Sequence, residues 1–358
     1  MNKRIGVLTC GGDCPGVNAV LHGVVRAATN RAWEVIGFQD GFEGLLPPAH
    51  YEQLNLRRTA GIMPLGGTIL GTTNRGRFIV TAEKGKKGIV PDKVIEQTRE
   101  TLSDLGVSAL IIIGGDGSLT ASVQLHEAGL PVVGVPKAIE NDLEATAMSF
   151  GFDSAVACVA GALDRLNTTA TSHRRVMVIE VTGRRAGWIA LYGGLAGGAD
   201  IILIPEIPFA HERVASAVRQ REREGCLSTL VVVAEGAAEH DAELCGQPDE
   251  DGEIRLGGIG EAVAAEIARR TGKETRTCVL GQLQRGGAPT TLDRILGTRF
   301  GVHAVDLIAD GRFGEMVSYQ NYQVLGVPIA EAVHRIKVVE PNSQMVLTCR
   351  AVGMSFGD

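Results

Sequence analysis

Short apolar runs that end at glycine-rich turns alternate with amphipathic windows along this chain, and this alternation limits its possible folds more than any other feature. Residues 4–8 read as a first strand, and the apolar residues between positions 17 and 28 recur at helical spacing. The run at 109–113 is apolar throughout, as in a strand buried on both faces. Strands that alternate with helices predict an α/β fold with mainly parallel sheets.

The same pattern returns in the second half of the chain. Strand-like runs lie at residues 176–181, 201–204, 230–233 and 277–280. A chain of 358 residues is longer than one hydrophobic core usually serves. We therefore expect two doubly wound, Rossmann-like lobes, with the active site in the cleft between them.

Charge and cysteine content argue against several classes of protein. The formal net charge of −6 gives no reason to expect a nucleic-acid or membrane partner. The seven cysteines are scattered without a CxxC pair, which argues against a disulfide framework or a zinc site. The N-terminal apolar run is too short for a signal peptide, and no stretch of about 18 apolar residues occurs. We expect a soluble, cytoplasmic protein.

The first strand leads into a glycine-rich turn at residues 11–16, with the sequence GGDCPG. Glycines at this place let backbone N–H groups approach an anion at a helix N-terminus. The spacing matches neither the G-x-G-x-x-G fingerprint nor a Walker A loop. A glycine-rich turn is also an ordinary structural link between a strand and a helix, so this turn alone leaves both interpretations open.

A second turn, GGDGS at residues 114–118, leaves the most hydrophobic strand of the chain and opens another helix. Its glycines clear side chains from the path of a phosphate group. Asp116 is placed to hold a divalent cation that bridges phosphoryl oxygens, and Ser118 to cap the helix while contacting a phosphate. A purely structural turn would need only one or two of these glycines and would not need Asp116.

The segment PKAIEND at residues 136–142 follows another short strand and carries two carboxylates. Beside a phosphate turn, Glu140 and Asp142 suggest a division of labour, in which one takes a proton from an attacking hydroxyl and the other helps to bind the metal. An acidic helix start, with Asn141 or Asp142 as its cap, is the structural alternative.

Four segments together resemble the phosphofructokinase family in order and spacing: GGDCPGVNA, GGDGS, PKAIEND and LGQLQRGGAPTTLDR. The resemblance covers the chain up to about residue 330. It implies transfer of a phosphoryl group from Mg-ATP to the 1-hydroxyl of fructose 6-phosphate. It also implies a nucleotide-binding lobe from residues 1–150 plus 285–334, and a sugar-phosphate-binding lobe from 151–284 plus 335–358.

The resemblance also assigns individual residues. It makes Glu140, Asp142 and Arg184 catalytic, and Asp116 the ligand of Mg²⁺. The nucleotide-binding residues it implies are Gly12, Asn74, Arg75, Gly115, Asp116, Gly117 and Ser118. The substrate-binding residues it implies are Lys137, Ala138, Ile139, Glu140, Arg175, Thr182, Gly183, Arg184, Glu235, Arg276, Gln282 and Arg285. Arg175 and Arg276 match arginines that the family donates across a subunit boundary, which implies a homotetramer or homodimer.

Two positions bear on the phosphoryl donor. In the family, Gly at the fourth position of GGDGS leaves room for ATP, whereas pyrophosphate users generally have Asp there and Lys at the position of Lys137. This chain combines Gly117 with Lys137. An Asp would fill the nucleotide site and make it negative, while a Lys adds only a cation near the transferred group, so we expect ATP. Pyrophosphate- or ADP-linked transfer is the alternative.

The chain also departs from the family pattern. Ala138 and Glu140 stand where the family has Thr and Asp, Thr182 replaces a Met, and Gln282 replaces a His. Asn74, with Arg75 adjacent, stands where an Arg is usual. Glu is one methylene longer than Asp, and a misplacement of about 1 Å can cost on the order of a hundredfold in rate. A weakly active or non-catalytic regulatory paralogue is therefore a further alternative.

Overall fold

The computed structural model describes residues 3–73, 78, 89–240, 242, 244–248 and 254–358. The chain divides into two compact units. Unit 1 comprises Met1–Ile139, Leu143–Ser154 and Arg285–Arg335, and unit 2 comprises Glu140–Asp142, Ala155–Gln284 and Ile336–Asp358. Apart from the short segment Glu140–Asp142, the chain passes from unit 1 to unit 2 after Ser154, close to the expected position 150. The segment Glu140–Asp142 belongs to unit 2, contrary to the lobe boundaries expected above, because it contacts the C-terminal segment of that unit.

Unit 1 is built on a seven-stranded sheet. Its strands are β1 (Arg4–Thr9), β2 (Glu34–Phe38), β3 (Tyr51–Leu54), β4 (Val107–Gly114), β5 (Val132–Pro136), β12 (Glu315–Gln320) and β13 (Gln323–Pro328). The strand order is β13-β12-β5-β4-β1-β2-β3. The five central strands run parallel, while β3 and β13 pair antiparallel at the two edges.

Helices cover this sheet. They are α1 (Val17–Asn30), α2 (Asp92–Asp104), α3 (Asp116–Glu127), α8 (Thr291–Ala309) and α9 (Ile329–Ala332), together with the first turn of α4 (Phe152–His173). Leu8, Leu110 and Ile112 are almost fully buried in the core beneath them. The central strands are apolar on both faces because the sheet is shielded from water on both sides.

Unit 2 has a smaller parallel sheet. Its strands are β6 (Val176–Val181), β7 (Ile201–Leu203), β8 (Thr229–Ala234) and β11 (Thr275–Val279), in the order β11-β6-β8-β7. Its helices are α5 (Trp188–Ala196), α6 (His211–Arg223), α7 (Ile259–Thr271), α10 (Gln344–Ala351) and most of α4. A short antiparallel pair, β9 (Gly246–Pro248) and β10 (Ile254–Leu256), lies between β8 and α7.

The fold class expected from the sequence is confirmed. Every strand named from an apolar run is present, and its ends fall within two residues of the expected ones. In the part of the chain that the structure describes, no helix is both long enough and apolar enough to cross a membrane. All seven cysteines lie in the described ranges, and all are free thiols.

Asp293, a buried carboxylate on α8, holds the start of α4. It accepts hydrogen bonds from the backbone N–H groups of Gly151 and Ser154, at 2.9 and 2.8 Å, and from the Ser154 hydroxyl at 2.6 Å. These bonds satisfy donors that a helix N-terminus leaves unpaired. Burial raises the pKa of Asp293 to about 6, although the three hydrogen bonds oppose the shift. The Asp293 carboxylate stabilises the fold despite its burial, because the three donors would otherwise be buried without acceptors.

This raised pKa predicts a particular pH dependence of stability. Because the folded protein binds the proton more tightly than the unfolded chain does, the contribution of Asp293 is full below pH 4 and is lost as pH rises through about 6. The unfolding free energy of the wild type, relative to that of Asp293→Asn, should fall by about 1 kcal/mol between pH 5 and pH 7. Urea unfolding at several pH values measures this, and parallel pH curves for the two proteins would contradict it.

Candidate active site

The glycine-rich turns of unit 1 lie side by side at one edge of its sheet. Strands β1, β4 and β5 are parallel neighbours, with Thr9 paired to Ile113 and Gly114 paired to Pro136. Their carboxyl ends therefore meet at the same edge. Strand order reverses between β1 and β4, and this is the position at which open α/β sheets bind ligands.

Arg285 lies against the first turn. A side chain added at Gly12 would place its Cβ 2.9 Å from an Arg285 guanidinium nitrogen. A side chain at position 12 would therefore displace the guanidinium end of Arg285. The guanidinium brings positive charge to the turn, and its planar fork suits bidentate contact with phosphate oxygens.

Lys137 is also at this turn, but its side chain is only 4% exposed. Its ammonium donates to the backbone carbonyls of Cys10 and Gly12. Burial lowers the pKa of Lys137, with the cysteines Cys10 and Cys14 acting in the opposite direction. The amine thus crosslinks the first turn to the end of β5, and two of its three donors are already used by carbonyls.

A structural role of this kind makes Lys137→Met destabilising. The substitution leaves the carbonyls of Cys10 and Gly12 without their donor, so the unfolding free energy should fall by about 1–3 kcal/mol. Lys93→Met, at an exposed position on α2, is the matched control and should change stability by no more than about 0.5 kcal/mol. Thermal and urea unfolding provide the comparison. A Lys137→Met protein as stable as the control would show that the lysine does not support the turn.

The second turn opens α3 directly. Gly115 is the N-cap and no side chain caps the helix, so the expectation that Ser118 caps it is wrong. The reason is that the helix begins at Asp116, which places Ser118 in its first turn. Gly117 is exposed, and a Cβ added there would meet nothing within 4 Å. The helix N-terminus thus presents its N–H groups beside open space, a favourable place for anionic phosphate groups.

Asp116 suits a magnesium ion. Its carboxylate is in the first turn of α3, partly exposed, between two glycines. Among the described residues, no three Asp, Glu, His or Cys side chains gather as a protein-only metal site. Mg²⁺ is commonly held by one or two carboxylates plus substrate phosphates and water, so a single carboxylate at a phosphate turn fits this ion.

The segment after Lys137 has a buried part and a polar part. Ile139 is 1% exposed and Ala138 packs against a cluster of buried apolar residues, so their side chains face protein. Glu140 accepts a hydrogen bond from the backbone N–H of Arg184 at 3.3 Å. The Asp142 carboxylate lies 3.8 Å from the Arg185 guanidinium. The two carboxylates are therefore held by the loop that follows β6.

Loops at the carboxyl edge of the unit 2 sheet contact one another. Glu235, after β8, accepts from the N–H of Gly183, after β6, at 3.4 Å. Thr182 is buried, and Gln284 accepts from its N–H at 3.3 Å and donates to its hydroxyl at 3.2 Å. Gln282 is exposed. The Thr182 hydroxyl is thus engaged with Gln284, while Glu235 and Gln282 remain accessible at this edge.

Arg175 and Arg276 lie elsewhere in unit 2. Arg175 directly precedes β6, and Arg276 is near the start of the neighbouring strand β11. Both form ion pairs with Glu274, at 3.1 and 2.7 Å respectively. β6 runs for six residues, about 20 Å at 3.3 Å per residue, so within one chain these arginines are far from Glu235. The structure does not bring all the sequence-predicted substrate residues together in one chain.

Comparison with known proteins identifies the family. A family model described as Phosphofructokinase matches residues 4–308. The chain belongs to the phosphofructokinase family. It is 49% identical to an ATP-dependent 6-phosphofructokinase of Chloroflexus aggregans over 99% of this chain and 98% of that protein. It is also 49% identical to a pyrophosphate–fructose 6-phosphate 1-phosphotransferase of Amycolatopsis methanolica, over 94% of this chain and 96% of that protein.

Solved phosphofructokinase structures share the fold. A pyrophosphate-dependent phosphofructokinase from Marinobacter aquaeolei matches with a TM-score of 0.80 at 21% identity, over 99% of this chain and 88% of that one. The phosphofructokinase of Pichia pastoris matches with a TM-score of 0.81 at 28% identity. The match covers 98% of this chain but only 36% of the Pichia chain.

Two predicted residues of this phosphofructokinase lie outside the described ranges, and two residues that contact predicted ones were not predicted. The predicted nucleotide-binding residues Asn74 and Arg75 fall outside the described ranges. Gln284 and Glu274 were not predicted. Gln284 is one position before Arg285 in a motif already singled out, and it is the only glutamine of the pair 282 and 284 that is buried. Glu274 is two positions before Arg276, and an acidic residue so near a predicted arginine could have indicated an ion pair.

Proposed function

We propose that this phosphofructokinase transfers the γ-phosphoryl group of Mg-ATP to the 1-hydroxyl of fructose 6-phosphate, giving fructose 1,6-bisphosphate. The observation that carries the proposal is the meeting of two glycine-rich turns and the start of the Lys137–Asp142 segment at the switch point of one parallel sheet. That arrangement supports the proposal because the N–H groups at the start of α3, the Asp116 carboxylate and the basic Arg285 all belong to these turns or lie against them. Some relatives are named for ATP and others for pyrophosphate, and both kinds align with nearly the whole of this chain.

The donor is assigned to unit 1. The N–H groups at the start of α3, from Gly115 to Ser118, bind the phosphates, and Gly12 keeps the first turn open beside Arg285. Asp116 would hold Mg²⁺, which would supply positive charge against the phosphoryl oxygens. Arg285 contributes a further positive charge at the turn. Positioning and charge neutralisation of this kind supply most of the catalysis in phosphoryl transfer.

Glu140 is assigned as the general base. Its carboxylate accepts the proton of the attacking hydroxyl, while the Arg184 N–H holds the carboxylate in place through a 3.3 Å hydrogen bond. Asp142 is the second carboxylate, and its side chain is only 13% exposed. Arg184 is exposed beside Glu140 and is available to a phosphoryl oxygen. Glu140 remains a carboxylate base despite replacing the Asp of the family.

The hexose phosphate is assigned to polar groups of unit 2. Glu235 and Gln282 hydrogen-bond sugar hydroxyls, with Gly183 and Thr182 shaping the same edge. Arg175 and Arg276 lie at the opposite end of β6 and β11, which fits donation to the sugar phosphate of a neighbouring subunit. We therefore propose a homotetramer or homodimer. The seven free thiols fit a reducing cytoplasm as its location.

ATP is the donor we propose, and pyrophosphate is the second candidate. Open space at Gly117 favours a nucleotide, because nothing lies within 4 Å of its Cβ direction. Lys137 is the observation that favours pyrophosphate. However, the lysine ammonium is buried and bonded to two backbone carbonyls, so most of its hydrogen-bonding capacity is spent inside the turn.

A coupled assay of fructose 1,6-bisphosphate formation tests the proposal. ATP, ADP and pyrophosphate are each supplied with Mg²⁺ and fructose 6-phosphate, and kcat/KM is measured for each donor. We expect ATP to give the largest value. A larger value with pyrophosphate would overturn the choice of donor. Binding of fructose 6-phosphate without turnover by any donor would show a non-catalytic paralogue instead.

A further inference from the structure

The C-terminal segment of unit 2 contacts the carboxylate segment Glu140–Asp142. Residues 336–339, here called the C-terminal strap, lie nearly 200 positions away from that segment in the sequence. The Lys337 N–H donates to the Asp142 carbonyl at 2.9 Å. The Lys337 ammonium donates to the Asn141 side-chain oxygen at 3.0 Å. Lys337 thus holds the backbone of Asp142 and the side chain of Asn141, the residue between the two carboxylates.

Asn141 has a left-handed backbone conformation. Its φ is 52°, and the residue is only 5% exposed. Asn adopts this region more readily than other non-glycine residues, and the contacts around a buried Asn decide whether it does so. Because Asn141 separates Glu140 from Asp142, its conformation sets the directions of both carboxylates. The Lys337 ammonium therefore acts on the geometry of both acids through the Asn141 side chain.

The strap itself is fixed on unit 2. The Trp188 indole N–H donates to the Lys337 carbonyl at 2.8 Å, and the Lys337 ammonium lies 5.8 Å from the Trp188 ring centre. The Val339 N–H donates to the Glu206 carboxylate at 2.8 Å, and that carboxylate also accepts from Gly187 at 3.0 Å. The strap is thus tied to the start of α5, so Lys337 is a fixed anchor for the carboxylate segment.

We propose that Lys337 is a positioning residue for the carboxylate pair, acting through Asn141. The proposal rests on the proposed function, in which Glu140 accepts the proton. Loss of the Lys337 ammonium lets Asn141 relax from its left-handed conformation and shifts Glu140. Because this misplaces the base without removing any substrate contact, it lowers kcat and leaves the KM for fructose 6-phosphate nearly unchanged.

The test compares Lys337→Met, Lys337→Arg and Lys3→Met in the full-length protein. Lys3 is the matched control, because its ammonium also lies over a tryptophan, 4.4 Å from the Trp33 ring centre, and donates to a backbone carbonyl. Lys337→Met should lower kcat by about 10- to 100-fold with KM changed less than about threefold. Lys337→Arg should recover most of the loss, since a guanidinium can also donate to Asn141. Lys3→Met should keep the wild-type kcat.

A double-mutant cycle with Asn141→Gly tests the route of the effect. Glycine accepts a left-handed conformation but has no side chain for Lys337 to hold. In this background, Lys337→Met should change kcat less than about threefold if Lys337 acts through Asn141. An equal loss in both backgrounds, or a wild-type kcat for Lys337→Met, overturns the inference. A wild type that is inactive with every donor overturns the proposed function instead, so the two failures are distinguishable.

Discussion

Replacing Glu140 by Gln should lower kcat by about a hundredfold or more, with little change in stability. The amide has nearly the shape of the carboxylate but cannot accept the proton of the sugar hydroxyl, and general-base catalysis is worth about 10²–10⁴-fold. The Arg184 N–H can still donate to the amide oxygen, so the loop after β6 should keep its place. Initial rates with saturating Mg-ATP and fructose 6-phosphate measure the loss.

The control for this substitution is Glu100→Gln, at an exposed position on α2. It makes the same chemical change far along the chain from the proposed site, and its kcat should equal that of the wild type. Thermal stabilisation by fructose 6-phosphate should persist in Glu140→Gln, because the substitution leaves the proposed sugar-phosphate ligands intact. A Glu140→Gln enzyme with wild-type kcat would exclude Glu140 as the base.

Replacing Gly117 by Asp should lower kcat/KM for ATP at least about a hundredfold while the protein stays folded. The new Cβ meets nothing within 4 Å, so the substitution has room. Its carboxylate would stand at the N-terminus of α3, where the proposed triphosphate lies. Two like charges about 4 Å apart repel by about 4 kcal/mol at an effective dielectric constant near 20, more than enough for this loss.

Gly117→Asn separates charge from size. Asn has nearly the volume of Asp but no charge, so its kcat/KM for ATP should stay within about tenfold of the wild type. Pyrophosphate has no nucleoside and extends less far than ATP, so any turnover with it should be less affected by Asp. Equal losses for Asp and Asn would mean that space alone decides, and an unchanged rate for both would place the nucleotide elsewhere.

The sequence predicted those parts of the fold whose signal is local. β1 and β4 are mainly apolar runs that lead into the glycine-rich turns at 11–16 and 114–118. Strand β3 and the β12–β13 pair were not predicted. β3 is only four residues long and mostly polar, since it pairs at the edge of the sheet and exposes one face.

Within the site, what the sequence did not reveal depends on contacts between distant positions. Ser118 was expected to cap α3, but the start of the helix depends on how Gly115 leaves β4. From the sequence alone, Lys137 was predicted to bind the substrate. Its burial against the Cys10 carbonyl could not be predicted, because it follows from the pairing of β1, β4 and β5. Lys337 carries no motif, and its role follows from a contact across nearly two hundred residues.

Transfer of the terminal phosphoryl group from a triphosphate at the start of α3 to a hexose phosphate is the step on which the proposed function depends. Phosphorus NMR of the enzyme with equimolar Mg-ATP and fructose 6-phosphate tests it most directly, with Asp116→Asn as the matched variant. We expect the wild type to form ADP and fructose 1,6-bisphosphate in equal amounts, and Asp116→Asn to form both far more slowly. ADP appearing with inorganic phosphate alone, or equal rates for the two proteins, would contradict it.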